Sequence, residues 1–368
     1  MSSKLNFTVH PGEYIDELLT IKNMSQEELA NRIDVSPKHV SQIVNGKAGI
    51  TSEISVALEN VFGTPATYWQ RLQSSYDSFI ARQRIEQEIE KNREWINYFD
   101  YKNLVNSGVV KPERNYIGKG KELFRFFEVK DYDAWDKTWL TPATEIYCRS
   151  TTKARDSSDQ RIIARLSSWI RIGQIQVEEH ISPTFPKYNR EILKSKINVI
   201  RDLNLLTEPE RMTNRLRDVL ETAGVFLNVL PAQPGMNTYA ATFMVQYNSV
   251  ACIQVSLRGK THDQLWFSLF HEIYHLLNRG NNQGFFIGGH CNEKEESEAD
   301  KFAADILINP NPYKKYTDKM VFTELNIKNF AVVNNVHPGI VVGRLQHDNF
   351  IGFQSFNQLK VRYQFKES

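Results

Sequence analysis

Residues 265–278 read LWFSLFHEIYHLLN, an apolar stretch that contains two histidines and one glutamate. On an α-helix, positions i and i+4 lie one turn apart on the same face, so His271 and His275 are neighbours. Burying these groups among apolar side chains costs free energy unless a partner compensates it, and a divalent cation shared by two neutral imidazoles is such a partner. The HExxH spacing therefore predicts a core helix that carries a metallohydrolase centre, with the carboxylate of Glu272 beside the metal-bound water.

A catalytic zinc centre takes a third protein ligand, which has to come from another segment. Residues 293–308 (EKEESEADKFAADILI) have helical periodicity and begin with several acidic side chains. Glu296 and Asp300 share a helix face with two alanines that allow another helix to approach, and Asp300 is placed to orient a ligating histidine. Glu295 shares a face with apolar residues further along and would also point inward. Helical register therefore leaves both Glu295 and Glu296 open as the third ligand.

The HEIYH motif and the E-x-x-A-D-x-F-A pattern of residues 296–303 together resemble the ImmA/IrrE metallopeptidases, over roughly residues 200–345. The resemblance implies a gluzincin-like site in which His271, His275 and Glu296 bind the metal and Glu272 is the catalytic base. It thus favours Glu296 over Glu295. Zinc is the expected metal, although two histidines and a glutamate also accept manganese, iron or cobalt.

Residues 25–46 (SQEELANRIDVSPKHVSQIVNG) pair two short amphipathic helices across a tight connection. Ser25 and Ser36 are favourable N-caps. Pro37 suits the first position of the second helix and Gly46 its end. This is the helix-turn-helix layout, whose second helix enters the major groove of DNA. The side chains expected to contact DNA are Gln26, Lys38, His39, Ser41, Gln42 and Asn45.

Residues 10–77 resemble the HigA-type antitoxin subfamily of helix-turn-helix regulators. The resemblance rests on the HPGE segment from His10, the SQEELA segment, the Asn45-Gly46 pair and the YWQRLQ run from Tyr68. It implies sequence-specific binding to operator DNA by a homodimer. Residues 1–80 carry six Lys and Arg against nine Asp and Glu, so DNA binding would depend on a local basic patch rather than on net charge.

Composition favours an intracellular protein. The 45 basic and 43 acidic residues give a net charge of +2, which leaves no broad polyanion-binding surface. Three scattered cysteines, Cys148, Cys252 and Cys291, suit a reducing cytoplasm without a disulfide framework. The first residues lack an apolar secretion core, and no run reaches the roughly 18 apolar residues of a membrane span. We therefore expect a cytoplasmic protein that does not bind membranes.

The patterns predict a multidomain chain. We expect an all-α helix-turn-helix domain with a trailing helix at 1–98, a helical region of unknown role at 99–205, and an α+β gluzincin-like metallopeptidase domain with a C-terminal extension at 206–368. Strands are expected near 225–229, 240–245 and 250–257. The last of these either aligns an extended substrate by strand addition or is an ordinary core strand.

Two features of the catalytic part stay open at the level of the sequence. A group should stabilise the charge that develops on the scissile carbonyl oxygen, and the sequence does not choose among four residues. These four are His262, Tyr239, His337 and Arg344. His290 and Cys291, in the segment GGHCN, have no second Cys or His at ligand spacing and are interpreted as ordinary loop residues.

Two functions fit these features. The first is a zinc metallopeptidase that acts as a transcriptional or toxin–antitoxin regulator by cleaving a repressor, a toxin or its own chain. The second is a non-catalytic antitoxin and autorepressor whose metal domain is a sensor or scaffold. Glu272 favours the peptidase, because a purely structural metal site needs its ligands but no general base.

Overall fold

The computed structural model describes residues 8–140 and 157–363, apart from 234, 237, 246–248, 257, 259 and 279–292. The chain folds as two compact units, Met1–Asn92 and Arg93–Ser368. The three-part division expected from the sequence is finer than this. Its first boundary, after residue 98, falls inside the second unit, and residues 99–205 belong to that unit.

The first unit is all-α in its described part, from residue 8 to Asn92. Its helices are α1 (Pro11–Ile21), α2 (Gln26–Arg32), α3 (Pro37–Val44), α4 (Ser52–Phe62) and α5 (Ala66–Lys91). Apolar side chains from all five pack into one core, which includes Ile15, Leu29, Ile43, Leu58 and Trp69. The expected all-α N-terminal domain is thus confirmed.

The second unit begins with short helices and an aromatic cluster. These helices are α6 (Arg93–Ile96), α7 (Tyr101–Asn106), α8 (Tyr116–Phe126) and α9 (Tyr132–Trp135). Trp95 stacks on Phe124 at a ring separation of 5.3 Å and meets Trp135 at the same separation. Three longer helices then lead to the sheet: α10 (Ser157–His180), α11 (Arg190–Asp202) and α12 (Pro209–Glu221).

A small mixed sheet forms the centre of the second unit. Its described strands are β1 (Val225–Val229), β2 (Ala240–Val245) and β3 (Val250–Val255), in the order β1-β3-β2. β3 runs parallel to β1 and antiparallel to β2. Because alternate side chains of a strand point to opposite faces of the sheet, the side chains of Ile253 and Gln254 lie on opposite faces. Gln254 Nε2 donates to the carbonyl oxygen of Trp169 on α10, at 2.9 Å.

The position of β3 decides between the two interpretations of residues 250–257. β3 is hydrogen-bonded on both sides, and all six of its residues are buried. A strand with both edges paired cannot accept a substrate strand, so the structure excludes the strand-addition alternative for this segment and confirms the core-strand alternative. Among the described strands, β2 lies beside it at an edge of the sheet.

The helices that follow the sheet build the candidate site. They are α13 (His262–Asn278), α14 (Glu293–Leu307), α15 (Pro310–Thr317), α16 (Glu324–Val333) and α17 (Pro338–His347). α13 packs against β2, β3, α14 and α17. The C-terminal segment is tied to the start of α13, since His262 N donates to Val361 O at 2.9 Å and Tyr363 N to Lys260 O at 2.7 Å. Within the described ranges, no helix combines the length and apolarity needed to cross a bilayer.

Candidate metal centre and helix-turn-helix

The HExxH segment lies on α13, the most deeply packed helix around the site. Large apolar side chains before and within the motif, among them Trp266, Phe270 and Ile273, are completely buried. This packing forces the polar residues between them inward as well. His275 is 1% exposed and Glu272 is 7% exposed.

α14 supplies the carboxylate that meets both histidines. Glu296 Oε2 lies 3.2 Å from His271 Nε2, and Glu296 Oε1 lies 3.4 Å from His275 Nε2. The two Nε2 atoms are 3.1 Å apart. One ligand atom from each of the three residues lies within 4.8 Å of the others. The structure therefore brings the three predicted ligands together at one point.

The remaining ring nitrogen of each histidine faces a second carboxylate on α14. His271 Nδ1 lies 2.9 Å from Asp300 Oδ1, and His275 Nδ1 lies 3.4 Å from Glu295 Oε1. Such contacts fix the ring orientation and direct each Nε2 toward Glu296. Asp300 occupies the orienting position expected from the sequence. Glu295, which helical register left open as a ligand, lies on the opposite side of the His275 ring from Glu296.

The electrostatics of the cluster fit a bound cation. Burial opposes the charged form of His271, but hydrogen bonds to Asp300 and Glu296 and the charge of Glu272 outweigh it and raise the pKa of His271 to about 10. The carboxylates thus favour a positive charge at this point. A divalent metal bound to the Nε2 atoms would replace that proton and balance the same carboxylates. Two imidazoles and one carboxylate are a donor set that zinc accepts in catalytic sites.

Glu272 lies beside the cluster without belonging to it. Its Oε2 accepts a hydrogen bond from Thr242 Oγ1 on β2, and its side chain lines the same cavity as His271 and Glu296. A carboxylate in this position can exchange a proton with a molecule held at the cluster. Sequence analysis did not find Thr242, because this contact joins positions 30 residues apart and no local pattern marks it.

Of the four residues that the sequence left open for carbonyl stabilisation, two line the cavity and two do not. Tyr239 and Arg344 line it. His262 is completely buried, accepts a hydrogen bond from Trp266 Nε1 at 2.9 Å, and has a pKa that burial lowers to about 3. His337 caps α17, since its Nδ1 accepts from a backbone N–H at 3.0 Å. Tyr239 and Arg344 are therefore the two that can reach a ligand. His290 and Cys291 lie outside the described residues.

The helix-turn-helix segment has the predicted caps. Ser25 Oγ accepts from Glu28 N at 3.0 Å and starts α2. Ser36 Oγ accepts from His39 N at 3.2 Å and starts α3. Gly46 follows α3 with a φ of 67°, a conformation that favours glycine. The two-helix layout expected for residues 25–46 is confirmed.

A close contact between α1 and α3 was missed by the sequence analysis. A Cβ atom on Gly12 would lie 2.0 Å from Ile43 O, so only glycine lets the helices approach this far. His10 caps α1 through Nδ1, which accepts from Gly12 N at 2.9 Å, and its ring meets Tyr76 edge-to-face at 4.7 Å. The HPGE segment, quoted above only as a family feature, was the available signal.

Of the residues expected to contact DNA, Gln26 begins α2, Asn45 directly follows α3, and the other four lie on α3. Lys38 and Asn45 are exposed, and the other four are partly exposed. Asn45 Nδ2 donates to Ser41 O at 2.7 Å, so part of its amide caps the end of α3. The side chains of Lys38 and Gln42 make no hydrogen bond to the described part of the chain, which leaves both available to a ligand.

Comparison with known proteins identifies the first unit. Residues 15–69 match the sequence model of a family described as Helix-turn-helix. Virulence-associated protein I of Dichelobacter nodosus is 36% identical over 76 residues, which cover 20% of this chain and 70% of that protein. The chain belongs to the helix-turn-helix family. The uncharacterized HTH-type transcriptional regulator YddM of Escherichia coli is 30% identical over 76 residues, or 21% of this chain and 81% of YddM.

The solved structures that resemble part of this chain include antitoxins. Antitoxin HigA of Pseudomonas aeruginosa, solved with the higBA promoter, is 34% identical, covers 23% of this chain and 94% of its own, and has a TM-score of 0.22. The N-terminal unit is a helix-turn-helix domain, similar in sequence to an HTH-type transcriptional regulator.

Proposed function

We propose that this chain is a zinc-dependent peptidase joined to a DNA-binding helix-turn-helix regulator, and that it cleaves a regulatory protein: a repressor, a toxin or its own chain. One observation carries the proposal. Glu272 is a buried carboxylate that lies beside the His271, His275 and Glu296 cluster and faces the same cavity without being one of the converging groups. The resemblance of residues 200–345 to the ImmA/IrrE metallopeptidases supports the same function.

His271, His275 and Glu296 would hold the metal. Zinc in such a site supplies Lewis-acid polarisation of a carbonyl and lowers the pKa of water to about 7. Asp300 and Glu295 keep the two imidazoles oriented toward it. These contacts predefine the ligand positions, so little reorganisation is needed when the metal binds.

Glu272 moves the proton in the proposed hydrolysis. Its carboxylate takes a proton from the water that attacks the scissile carbonyl, and it returns that proton to the amine as the C–N bond breaks. Thr242 donates to Oε2 of Glu272 and thereby fixes the orientation of the carboxylate. Tyr239 or Arg344 stabilises the charge on the carbonyl oxygen, since both line the cavity.

β2 is the strand that would align the substrate. Residues 238–241, at its start, line the cavity beside Glu272. In the described sheet β2 pairs with β3, at the end of the order β1-β3-β2. An extended peptide can pair with an edge strand through main-chain hydrogen bonds. The strand-addition role, one of the two alternatives for residues 250–257, therefore belongs to β2 in this proposal.

The helix-turn-helix domain would place this activity at an operator. We infer that α3 enters the major groove and that Lys38 and Gln42 contact phosphates or base edges. The HigA relative is described with its promoter DNA, which supports the same role here. Two copies of the chain would bind a two-fold symmetric operator, as helix-turn-helix dimers do.

A second candidate is an antitoxin and autorepressor without turnover, in which the metal domain is a sensor or scaffold. The regulator and antitoxin relatives of the N-terminal unit favour it. The two candidate functions differ in whether Glu272 takes part in a reaction. A structural or sensing metal site would use the three ligands alone.

Digestion of a peptide library, read by mass spectrometry, tests the proposal. Zinc-loaded wild-type protein should cleave a defined subset of peptides. Glu272→Gln should lower the cleavage rate by a factor of about 100 to 10,000 while binding the same amount of zinc, because only the general base is lost. Equal cleavage by both proteins would remove Glu272 from this role. A zinc-loaded wild type that cleaves nothing, including itself, would favour the non-catalytic candidate.

A further inference from the structure

We infer that the cavity beside the candidate metal centre is a specificity pocket for a large, uncharged, apolar side chain of the polypeptide substrate. The inference rests on the proposed peptidase function, because it takes the occupant to be a peptide whose scissile bond lies at the metal ligands. The cavity has a volume of about 460 Å³. Pockets of roughly 300–1,000 Å³ are typical of sites that enclose organic ligands.

The cavity is continuous with the catalytic residues. The lining of the cavity includes His271, Glu272 and Glu296, and also Asp263 at the start of α13. Asp263 lies eight residues before His271 on the same helix, which corresponds to about 12 Å at a rise of 1.5 Å per residue. A peptide bound at the metal centre can therefore extend one long side chain along α13 without leaving the cavity.

The walls of this pocket are mainly apolar. They include Phe267, Ala304, Leu307, Ile308, Ile340 and Phe353. Removal of apolar surface from water is the contribution that would favour binding here. A hydrocarbon or aromatic side chain gains from this lining, whereas a polar one would lose its hydration there.

Phe353 is an exposed aromatic residue in the lining of the pocket. Its side chain is 71% exposed although it lines the cavity. The segment that carries it is not loosely attached, because the buried Gln346 donates through Nε2 to Ser355 O at 2.9 Å and to Phe353 O at 3.2 Å. An exposed aromatic ring held beside a concave surface is a contact that an apolar ligand would cover.

An ion pair in the lining of the pocket, Asp263 with Lys360, explains why the side chain should be uncharged. Asp263 Oδ2 and Lys360 Nζ are 2.6 Å apart, with side chains only 8% and 12% exposed. The pair already balances its own charge. A cationic substrate side chain would compete with Lys360 for Asp263, and an anionic one would compete with Asp263 for Lys360. Either competition leaves a buried charge unpaired, which is strongly unfavourable.

The other oxygen of this carboxylate does not change the preference. Asp263 Oδ1 is buried without a hydrogen-bond partner among the described residues. A lone carboxylate there would attract a cation, but Lys360 already supplies one. A neutral side chain avoids any change in the charge of the pair.

Titration calorimetry with hydroxamate probes tests the inference on the zinc-loaded full chain. The probes are three succinyl hydroxamates that differ only in one side chain: methyl, benzyl or 4-aminobutyl. The hydroxamate group reports on the metal centre, and the side chain reports on the pocket. We expect the benzyl probe to bind at least about tenfold more tightly than the methyl probe, because its ring is buried. The 4-aminobutyl probe should bind no more tightly than the methyl probe.

Phe353→Ser provides the matching variant. This residue is exposed, so the substitution should not affect folding, and it should lower affinity for the benzyl probe at least about threefold without changing affinity for the methyl probe. Val333→Ser is the control, because Val333 is 83% exposed and does not line the pocket. It should change neither affinity.

The outcomes separate this inference from the proposed function. Equal affinity for the methyl and benzyl probes, or tightest binding of the 4-aminobutyl probe, would overturn the specificity pocket while leaving the metal centre in place. Benzyl binding that is unchanged in Phe353→Ser would contradict the contact with that ring. Failure of all three probes to bind would overturn the proposed metal centre and the pocket with it.

Discussion

Glu272 and Glu296 lie beside the same two histidines, yet their carboxylates face different partners. Glu296 approaches both Nε2 atoms, whereas Glu272 accepts from Thr242 and faces the cavity. In the proposed function, the surroundings rather than the residue type therefore give metal binding to Glu296 and proton transfer to Glu272. Asp300 is a third carboxylate with a different position. It contacts Nδ1 of His271, whereas Glu296 contacts Nε2 of the same ring.

Replacement of Asp300 tests the orienting contact. Asp300→Asn should lower zinc affinity about 10- to 100-fold, because the amide no longer fixes the His271 ring as strongly as the carboxylate does. Competition with a chromogenic chelator measures this affinity. Asp305→Asn, the same change five residues further along α14, is the control and should bind zinc like the wild type. Unchanged affinity in Asp300→Asn would show that the contact does not support metal binding.

The sequence predicted the residues of this centre whose spacing is local. His271, Glu272 and His275 lie within one helical turn, so the helix itself sets their geometry. Glu296 needed the family resemblance, because helical register alone left Glu295 equally suitable. Thr242 could not be predicted, since its contact with Glu272 depends on how β2 packs against α13.

At the level of helices and strands, the features that the sequence predicted correctly were also those that depend on local residue patterns. The strands at Val225–Val229 and Ala240–Val245 begin and end where the sequence analysis expected them. The edge strand did not follow from the sequence, because the pairing order β1-β3-β2 is set by tertiary packing. The close approach of α1 and α3 at Gly12 is another tertiary feature, since its neighbour Ile43 O lies on another helix.

The ion pair between Asp263 and Lys360 joins the C-terminal segment to α13. Lys360→Met should destabilise the protein by about 3–5 kcal/mol, because it leaves Asp263 buried without its cation. Chemical denaturation of the second unit measures the change in the free energy of unfolding. The double variant Asp263→Asn, Lys360→Met should be more stable than Lys360→Met alone. If Lys360→Met has wild-type stability, the pair does not hold this segment.

At the scale of the whole molecule, one chain combines two units with different chemistry. The first unit belongs to the helix-turn-helix family, and the second contains the histidine and glutamate cluster. The net charge of the full sequence, +2, indicates neither DNA binding nor metal binding. DNA recognition and any metal chemistry therefore depend on a few residues in each unit.

Gln42→Ala tests whether the helix-turn-helix unit reads DNA through α3. We expect operator affinity to fall by about 1–3 kcal/mol, or roughly 5- to 150-fold, because a bidentate amide contact to a base would be lost. Fluorescence anisotropy with DNA from upstream of the coding region, at fixed salt, measures it. Gln70→Ala, an exposed glutamine on α5, is the control. Equal affinity of Gln42→Ala and wild type would place recognition elsewhere.

The most direct test of the account is the metal content of the purified protein. We predict about one equivalent of zinc in the wild type and its loss in both His271→Ala and Glu296→Ala, because a catalytic zinc needs its three protein ligands. Elemental analysis of folded protein after zinc addition and gel filtration provides the measurement. A folded wild type that retains no metal, or variants that retain as much as the wild type, would contradict the proposed centre.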